Sequence, residues 1–131
     1  MTGMKDIASR NDIELLVRAF YRKIRQNEML GYIFDDVVKI DWEYHIPILI
    51  DFWETILLDT GSYTRNAMAE HFKVNQKLRL EPLHFTTWLN LFDSTIDELY
   101  NGEKAELAKK RAHAIAQIIQ LKLQQINKEA I

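Results

Sequence analysis

The sequence WEYHIPILIDFW, residues 42–53, decides the fold of this chain. Its apolar residues fall on nearly every side of a helix, a pattern that is typical of a central, buried helix. Pro47 has no N–H group to donate to the preceding turn, so it belongs in the first turns of that helix or marks a bend. We therefore predict a buried helix from about Asp41 to Leu58, with His45 near its start.

One face of this helix carries an imidazole, an aliphatic side chain and two aromatic rings in a line. Two interpretations of this face are open. It is a stripe of the hydrophobic core with a histidine at its polar end, or it is one wall of a flat apolar slot that holds a cofactor. The residues of this face are His45, Leu49, Phe52 and Trp53.

Apolar residues recur at helical spacing on both sides of this stretch, and we find no convincing strand, so the predicted fold class is all-α. Asn11 and Glu14 have the spacing of a capping box and mark the start of the first helix. We predict one domain over residues 1–131, with an N-terminal extension to about residue 11 and a C-terminal tail from about residue 128. The other predicted helices begin near Glu81-Pro82 and Glu103, with shorter helical stretches at 30–34 and 65–72.

Composition excludes several classes of function. The formal net charge of −2 argues against a nucleic-acid partner, which normally requires a basic excess. Since the chain has no cysteine, it has no disulfide, no Cys-ligated zinc and no iron–sulfur cluster. No apolar run approaches the roughly 18 residues of a membrane span, and residues 1–11 lack an apolar signal core. We therefore expect a cytoplasmic protein that binds neither nucleic acid nor membranes.

Three residues outside the central helix carry polar groups that suit a binding site. Trp88, one turn after Phe85, is a core residue or part of a pocket wall, and a buried indole N–H needs a hydrogen-bond partner. The Tyr21 hydroxyl points into a pocket or reaches solvent. His71 follows a short helical stretch, where it is a surface residue or offers a neutral imidazole nitrogen to a metal.

These residues, in their order along the chain, resemble the truncated (2-on-2) haemoglobin family, and within it group III, also called P-type. The resemblance covers about Ile13 to Leu123, nearly the whole chain. No single segment is specific, but the ordered set is. The segments are Phe20-Tyr21, residues 30–34 (LGYIF), residues 42–45 (WEYH), Phe52-Trp53, Tyr63 with His71, residues 84–92 (HFTTWLNLF) and the stretch 102–116.

The resemblance implies a shortened globin fold, in which two antiparallel helix pairs form a two-on-two sandwich around a b-type haem (haem b, iron protoporphyrin IX). It implies that His71 is the proximal ligand of the haem iron. Tyr21, His45 and Trp88 match the residues of the distal side, where the ligand binds. The other residues assigned to cofactor binding are Phe34, Leu49, Phe52, Trp53 and Phe85.

The resemblance also implies a function, the binding of dioxygen and other diatomic ligands. The Tyr21 hydroxyl and the Trp88 indole N–H would both donate hydrogen bonds to the ligand and slow its release. This suits ligand trapping or redox chemistry (dioxygen or peroxide activation, or nitric oxide detoxification) better than transport. The redox version is a haem-dependent oxidoreductase, peroxidase-like or a nitric oxide dioxygenase, served by a reductase that the sequence does not identify.

Two alternatives stay open at this point. His45 either gates the route to the iron or ligates the iron itself in the absence of dioxygen. The chain as a whole is either this haem protein or a cofactor-free helical protein-interaction module whose aromatic residues all belong to the core.

Overall fold

The computed structural model describes residues 4–61, 75 and 78–129, and every regular element within them is a helix. This confirms the predicted all-α class. No helix of the described residues is both long and apolar enough to cross a lipid bilayer. The elements are α1 (Arg10–Gln26), α2 (Glu28–Gly31), a π-helical segment (Tyr32–Val37), α3 (Trp42–Leu58), α4 (Pro82–Leu99) and α5 (Glu103–Glu129).

The start of α1 differs from the sequence prediction. Ser9 is the N-cap, and its hydroxyl accepts a hydrogen bond from the Asp12 N–H at 3.3 Å. The Asp12 carboxylate accepts in return from the Ser9 N–H at 3.2 Å, which completes a capping box. The prediction of a capping box at Asn11 and Glu14 was therefore wrong. The side chain of Ile7, only 2% exposed, anchors the chain in the core just before the helix.

The central helix α3 begins at Trp42, directly after its N-cap Asp41, and ends at Leu58, close to the predicted bounds. Its composition suggested a helix that is buried on all sides. In the structure, its fully buried residues form a single face. Pro47 is exposed, and the helix continues through it. The residues of the buried face are Ile46, Ile50, Trp53 and Leu57.

The four long helices form two antiparallel pairs, α1 with α3 and α4 with α5. Within each pair, residues further along one helix contact residues earlier in the other. α1 also packs against α4, and α3 against α5, so the two pairs lie against each other. The contacts that define the direction are Arg10 with Asp51 and Tyr21 with Trp42 in the first pair, and Asp93 with His113 and Asp97 with Lys109 in the second.

The segment before α1 is fastened to the start of α5. The Asp6 carboxylate accepts hydrogen bonds from the N–H groups of Lys104 at 2.8 Å and Ala105 at 2.9 Å, donors that have no partner within the helix. Burial raises the pKa of the Asp6 carboxyl, but the N–H groups of Lys104, Ala105 and Ile7 together outweigh this, and the pKa lies below its ordinary value. Gly102 is required here, because a Cβ atom in its place would come within 2.4 Å of the carboxylate carbon.

Replacing Asp6 with asparagine removes the negative charge at the start of α5. The pKa of Asp6 is lower in the folded state than in the unfolded chain. The carboxylate therefore stabilises the fold above the ordinary carboxyl pKa of about 4, and this stabilisation is lost as the pH falls through the pKa of the folded state. We expect Asp6→Asn to lower the free energy of unfolding by about 1 kcal/mol at pH 7, and by much less at pH 3, in urea titrations followed by circular dichroism.

The matched control is Asp36→Asn, which removes an exposed carboxylate from the π-helical segment. We expect it to change the free energy of unfolding by a few tenths of a kcal/mol at most. Equal losses in the two variants would show that Asp6 acts through net charge alone and not as a cap.

Candidate functional site

A cavity of about 360 Å³ lies between α1, the π-helical segment, α3, α4 and α5. Most of its lining is aliphatic or aromatic, and eight of its residues were assigned to a cofactor site from the sequence. His71, the predicted proximal ligand, lies outside the described residues, as does Tyr63. The eight residues are Tyr21, Phe34, His45, Leu49, Phe52, Trp53, Phe85 and Trp88.

Helix α5 supplies a wall of the cavity that the sequence interpretation missed. Ala112 and Ala116, one helical turn apart, are 1% and 3% exposed, and their small side chains allow α5 to lie close to the cavity. Ile115 and Ile119 line the same side. Their spacing is that of one helix face, so a signal was present in the sequence. Nothing in that signal distinguishes a cavity wall from ordinary core.

Tyr21 brings a hydroxyl group into this apolar lining. Its side chain is 6% exposed, and burial raises the pKa of the phenol, so the group stays protonated. The Trp88 side chain acts on the pKa of Tyr21 in the opposite direction, as a hydrogen-bond donor beside the phenol oxygen. An indole nitrogen can only donate, so Tyr21 and Trp88 bring two donors to the lining of the same cavity.

His84 lines the cavity at the start of α4, and its ring also caps that helix. Its Nδ1 atom accepts a hydrogen bond from the Glu81 backbone N–H at 2.8 Å, in a capping box that Glu81 and His84 form around Pro82. A neutral imidazole whose Nδ1 atom accepts carries its proton on Nε2. We therefore assign His84 the tautomer with hydrogen on Nε2, in which that nitrogen is a hydrogen-bond donor rather than a metal ligand.

His45 lies in the first turn of α3, as predicted, and lines the cavity. The backbone N–H of His45 donates a hydrogen bond to the Asp41 carbonyl oxygen at 2.9 Å. The imidazole is nearly perpendicular to the Trp42 ring, with 6.4 Å between the ring centroids. The neighbouring Tyr44 also lines the cavity although it is 60% exposed, so this end of α3 forms an edge between the cavity and solvent.

Two antiparallel helix pairs around an apolar cavity define a globin of the shortened, two-on-two kind. No family model matches the chain. Over 114 residues it is 30% identical to the Group 3 truncated hemoglobin ctb of Campylobacter jejuni, a match that covers 82% of this chain and 85% of that protein. The chain therefore belongs to the group 3 truncated hemoglobins, which confirms the resemblance inferred from its sequence.

A solved structure agrees with this assignment. The crystal structure of a group III truncated hemoglobin from Campylobacter jejuni superposes with a TM-score of 0.80 at 28% sequence identity. The superposition covers 92% of this chain and 94% of that one, so the similarity extends over the whole helical sandwich and not over one helix pair alone.

Proposed function

We propose that the protein binds a b-type haem in this cavity and a diatomic ligand, such as dioxygen, beside Tyr21. The observation that carries the proposal is the buried Tyr21 side chain, which brings a hydroxyl donor into a cavity that is otherwise mostly apolar. Binding sites for cofactors typically combine such a lining with a few polar groups in defined positions. The description of the relative as a truncated hemoglobin supports the same proposal.

The lining residues fit this cofactor. Aliphatic and aromatic side chains suit the faces of a porphyrin, and the polar groups of Tyr44 and His84 suit its carboxylates. Of the chain's four histidines, His84 is a donor through Nε2, and His113 lies on α5 with its Nε2 atom 2.7 Å from Asp93. Of the remaining two, His71 is the proposed iron ligand, as the family resemblance implies.

The chain's own residues shape what happens to the ligand. When bound, haem would supply an iron atom that binds a histidine nitrogen and a diatomic ligand. The apolar lining excludes water, and the Tyr21 hydroxyl would donate a hydrogen bond to the ligand. The Trp88 indole N–H, which can only donate, would serve as the second donor of the cavity.

A strong hydrogen-bond donor slows the release of the ligand. The proposed role is therefore ligand trapping or redox chemistry rather than transport, with dioxygen or peroxide activation and nitric oxide detoxification as the candidate reactions. Dioxygen activation and nitric oxide detoxification would need electrons from a reductase, whose identity the chain does not reveal.

His45 is proposed to gate the route between solvent and the cavity. It lies in the first turn of α3 beside the exposed edge formed by Tyr44, and not in the middle of the helix. His45 lines the cavity at this edge, where a change in its side-chain torsion would open or close the route to solvent. The competing assignment makes His45 a direct iron ligand in the resting protein.

Haemin titration tests the cofactor and its ligand. We expect the purified protein to bind haemin with a Soret band that saturates at one equivalent. His71→Ala should lose the haem, or retain it only with added imidazole. The matched control is His113→Gln, because His113 lies outside the cavity lining, beside Asp93. A protein that stays colourless with haemin would favour the cofactor-free interaction module, and a normal spectrum in His71→Ala would exclude His71 as the ligand.

The roles of Tyr21 and Trp88 predict faster ligand release when either donor is removed. A hydrogen bond to a polarised ligand contributes about 1–3 kcal/mol, so Tyr21→Phe should speed dioxygen release by roughly one to two decades. Trp88→Phe should do likewise, because it removes the second donor. Tyr32→Phe, at a 54% exposed tyrosine outside the cavity, is the control. Stopped-flow release rates that are unchanged in Tyr21→Phe would contradict the assignment.

The gate predicts that His45→Ala changes ligand entry more than ligand release. Association of carbon monoxide after flash photolysis should become faster, while the dissociation rate and the haem content stay close to those of the unaltered protein. The core face of α3, including Trp53, is untouched by this change. A low-spin spectrum in the resting protein that disappears in His45→Ala would instead make His45 an iron ligand.

A further inference from the structure

A second, open groove of about 510 Å³ lies on the outer side of the cavity wall. Tyr21 lines both the groove and the cavity. Three arginines on successive turns of α1 share one helix face and line the groove above buried apolar residues. This feature, the arginine groove, consists of Arg18, Arg22 and Arg25 with Tyr21, Trp42 and Ile46.

The arginine groove is positively charged although the chain carries a formal net charge of −2. Its lining holds three arginines and one carboxylate, that of Asp35. Arg25 lies 3.3 Å from Asp35, and Arg18 lies 2.8 Å from Glu14, but both ion pairs are exposed and therefore weak. Arg22 forms no ion pair with any other residue in the described part of the chain. Like charges one turn apart repel each other, so an anion in the groove would relieve this repulsion.

The apolar surface of the groove is held rigidly. The Trp42 indole N–H donates to the Asp35 carboxylate at 2.9 Å, and the Trp42 ring lies 5.5 Å from the Tyr21 ring and 5.8 Å from the Phe34 ring. The Arg25 guanidinium lies 5.2 Å from the Trp42 ring centre. Arginine and tryptophan are also the residue types that contribute most to binding energy at protein interfaces.

We propose that the arginine groove binds an acidic segment of a partner protein, with carboxylates on Arg18 and Arg22 and an apolar side chain on Trp42. A planar guanidinium binds a carboxylate through two parallel hydrogen bonds. A nucleic acid fits less well, because phosphate binding calls for a basic excess that this chain lacks. The docked segment lies against the wall that carries Tyr21, and its binding does not depend on what the cavity holds.

The test is a titration of ¹⁵N-labelled protein with a short synthetic peptide of glutamates around one leucine. We expect the peptide to shift the indole N–H resonance of Trp42 and to bind more weakly as salt concentration rises. A peptide with glutamine in place of every glutamate should not bind. The double variant Arg18→Gln/Arg22→Gln should weaken binding roughly tenfold, whereas Arg111→Gln, at an exposed arginine of α5, should leave it unchanged.

Other outcomes would overturn the proposal. They are an equal loss of binding in Arg111→Gln, shifts scattered over the whole surface, no binding at low salt, or an oligothymidine that binds the groove more tightly than the peptide. Should the double variant fail to fold, Arg22→Gln alone repeats the test at an exposed residue that breaks no ion pair with the described residues.

Discussion

The rest of the structure depends on the contact of Phe92 with three other aromatic rings. Its ring stacks on that of Trp53 from α3 at 4.9 Å and on that of Trp88 from its own helix at 5.4 Å, and it meets the Phe20 ring of α1 edge-on at 5.1 Å. Phe92 and Phe20 are each 1% exposed. Truncating such a buried phenylalanine typically costs about 3–5 kcal/mol. One side chain of α4 therefore fixes the relative positions of three helices.

This cluster explains how a small chain keeps a cavity open beside a closed core. The centre of the Phe20 ring lies 4.7 Å from that of Tyr21 and 5.1 Å from that of Trp88, so one buried ring supports both of these polar side chains of the cavity. On another side, Gly31 lies so close to the end of α1 that a Cβ atom would come within 2.6 Å of the Arg25 carbonyl oxygen. That close approach brings the π-helical segment, an element that is frequent at functional sites, against the cavity. Buried contacts on the side away from the cavity thus hold its walls in place and keep the cavity open.

The sequence was informative where structure is local. Apolar spacing and Glu81-Pro82 predicted α3 and the start of α4 closely, because helix faces and helix starts depend on neighbouring residues. The start of α1 was predicted wrongly because two residue pairs have capping-box spacing there, and Ser9 with Asp12 forms the box rather than Asn11 with Glu14. The family resemblance named Tyr21 and Trp88 as donors, and the structure places both in the lining of one cavity. Only the fold shows that burial raises the pKa of Tyr21. The arginine groove carries no local sequence signal, because its arginines have the pattern of a solvated helix face. The role of His71 stays a prediction.

The central claim is that the cavity between the two helix pairs holds a porphyrin. Zinc protoporphyrin IX tests it directly, because this diamagnetic analogue of haem has a ring current that shifts the NMR signals of protons above its faces. The account predicts that one equivalent shifts the methyl resonances of Leu49 and Ile119, which line the cavity, and leaves those of Leu121, 60% exposed on α5 and outside the lining, unchanged. Unchanged resonances for Leu49 and Ile119, or equal shifts for Leu121, would contradict it.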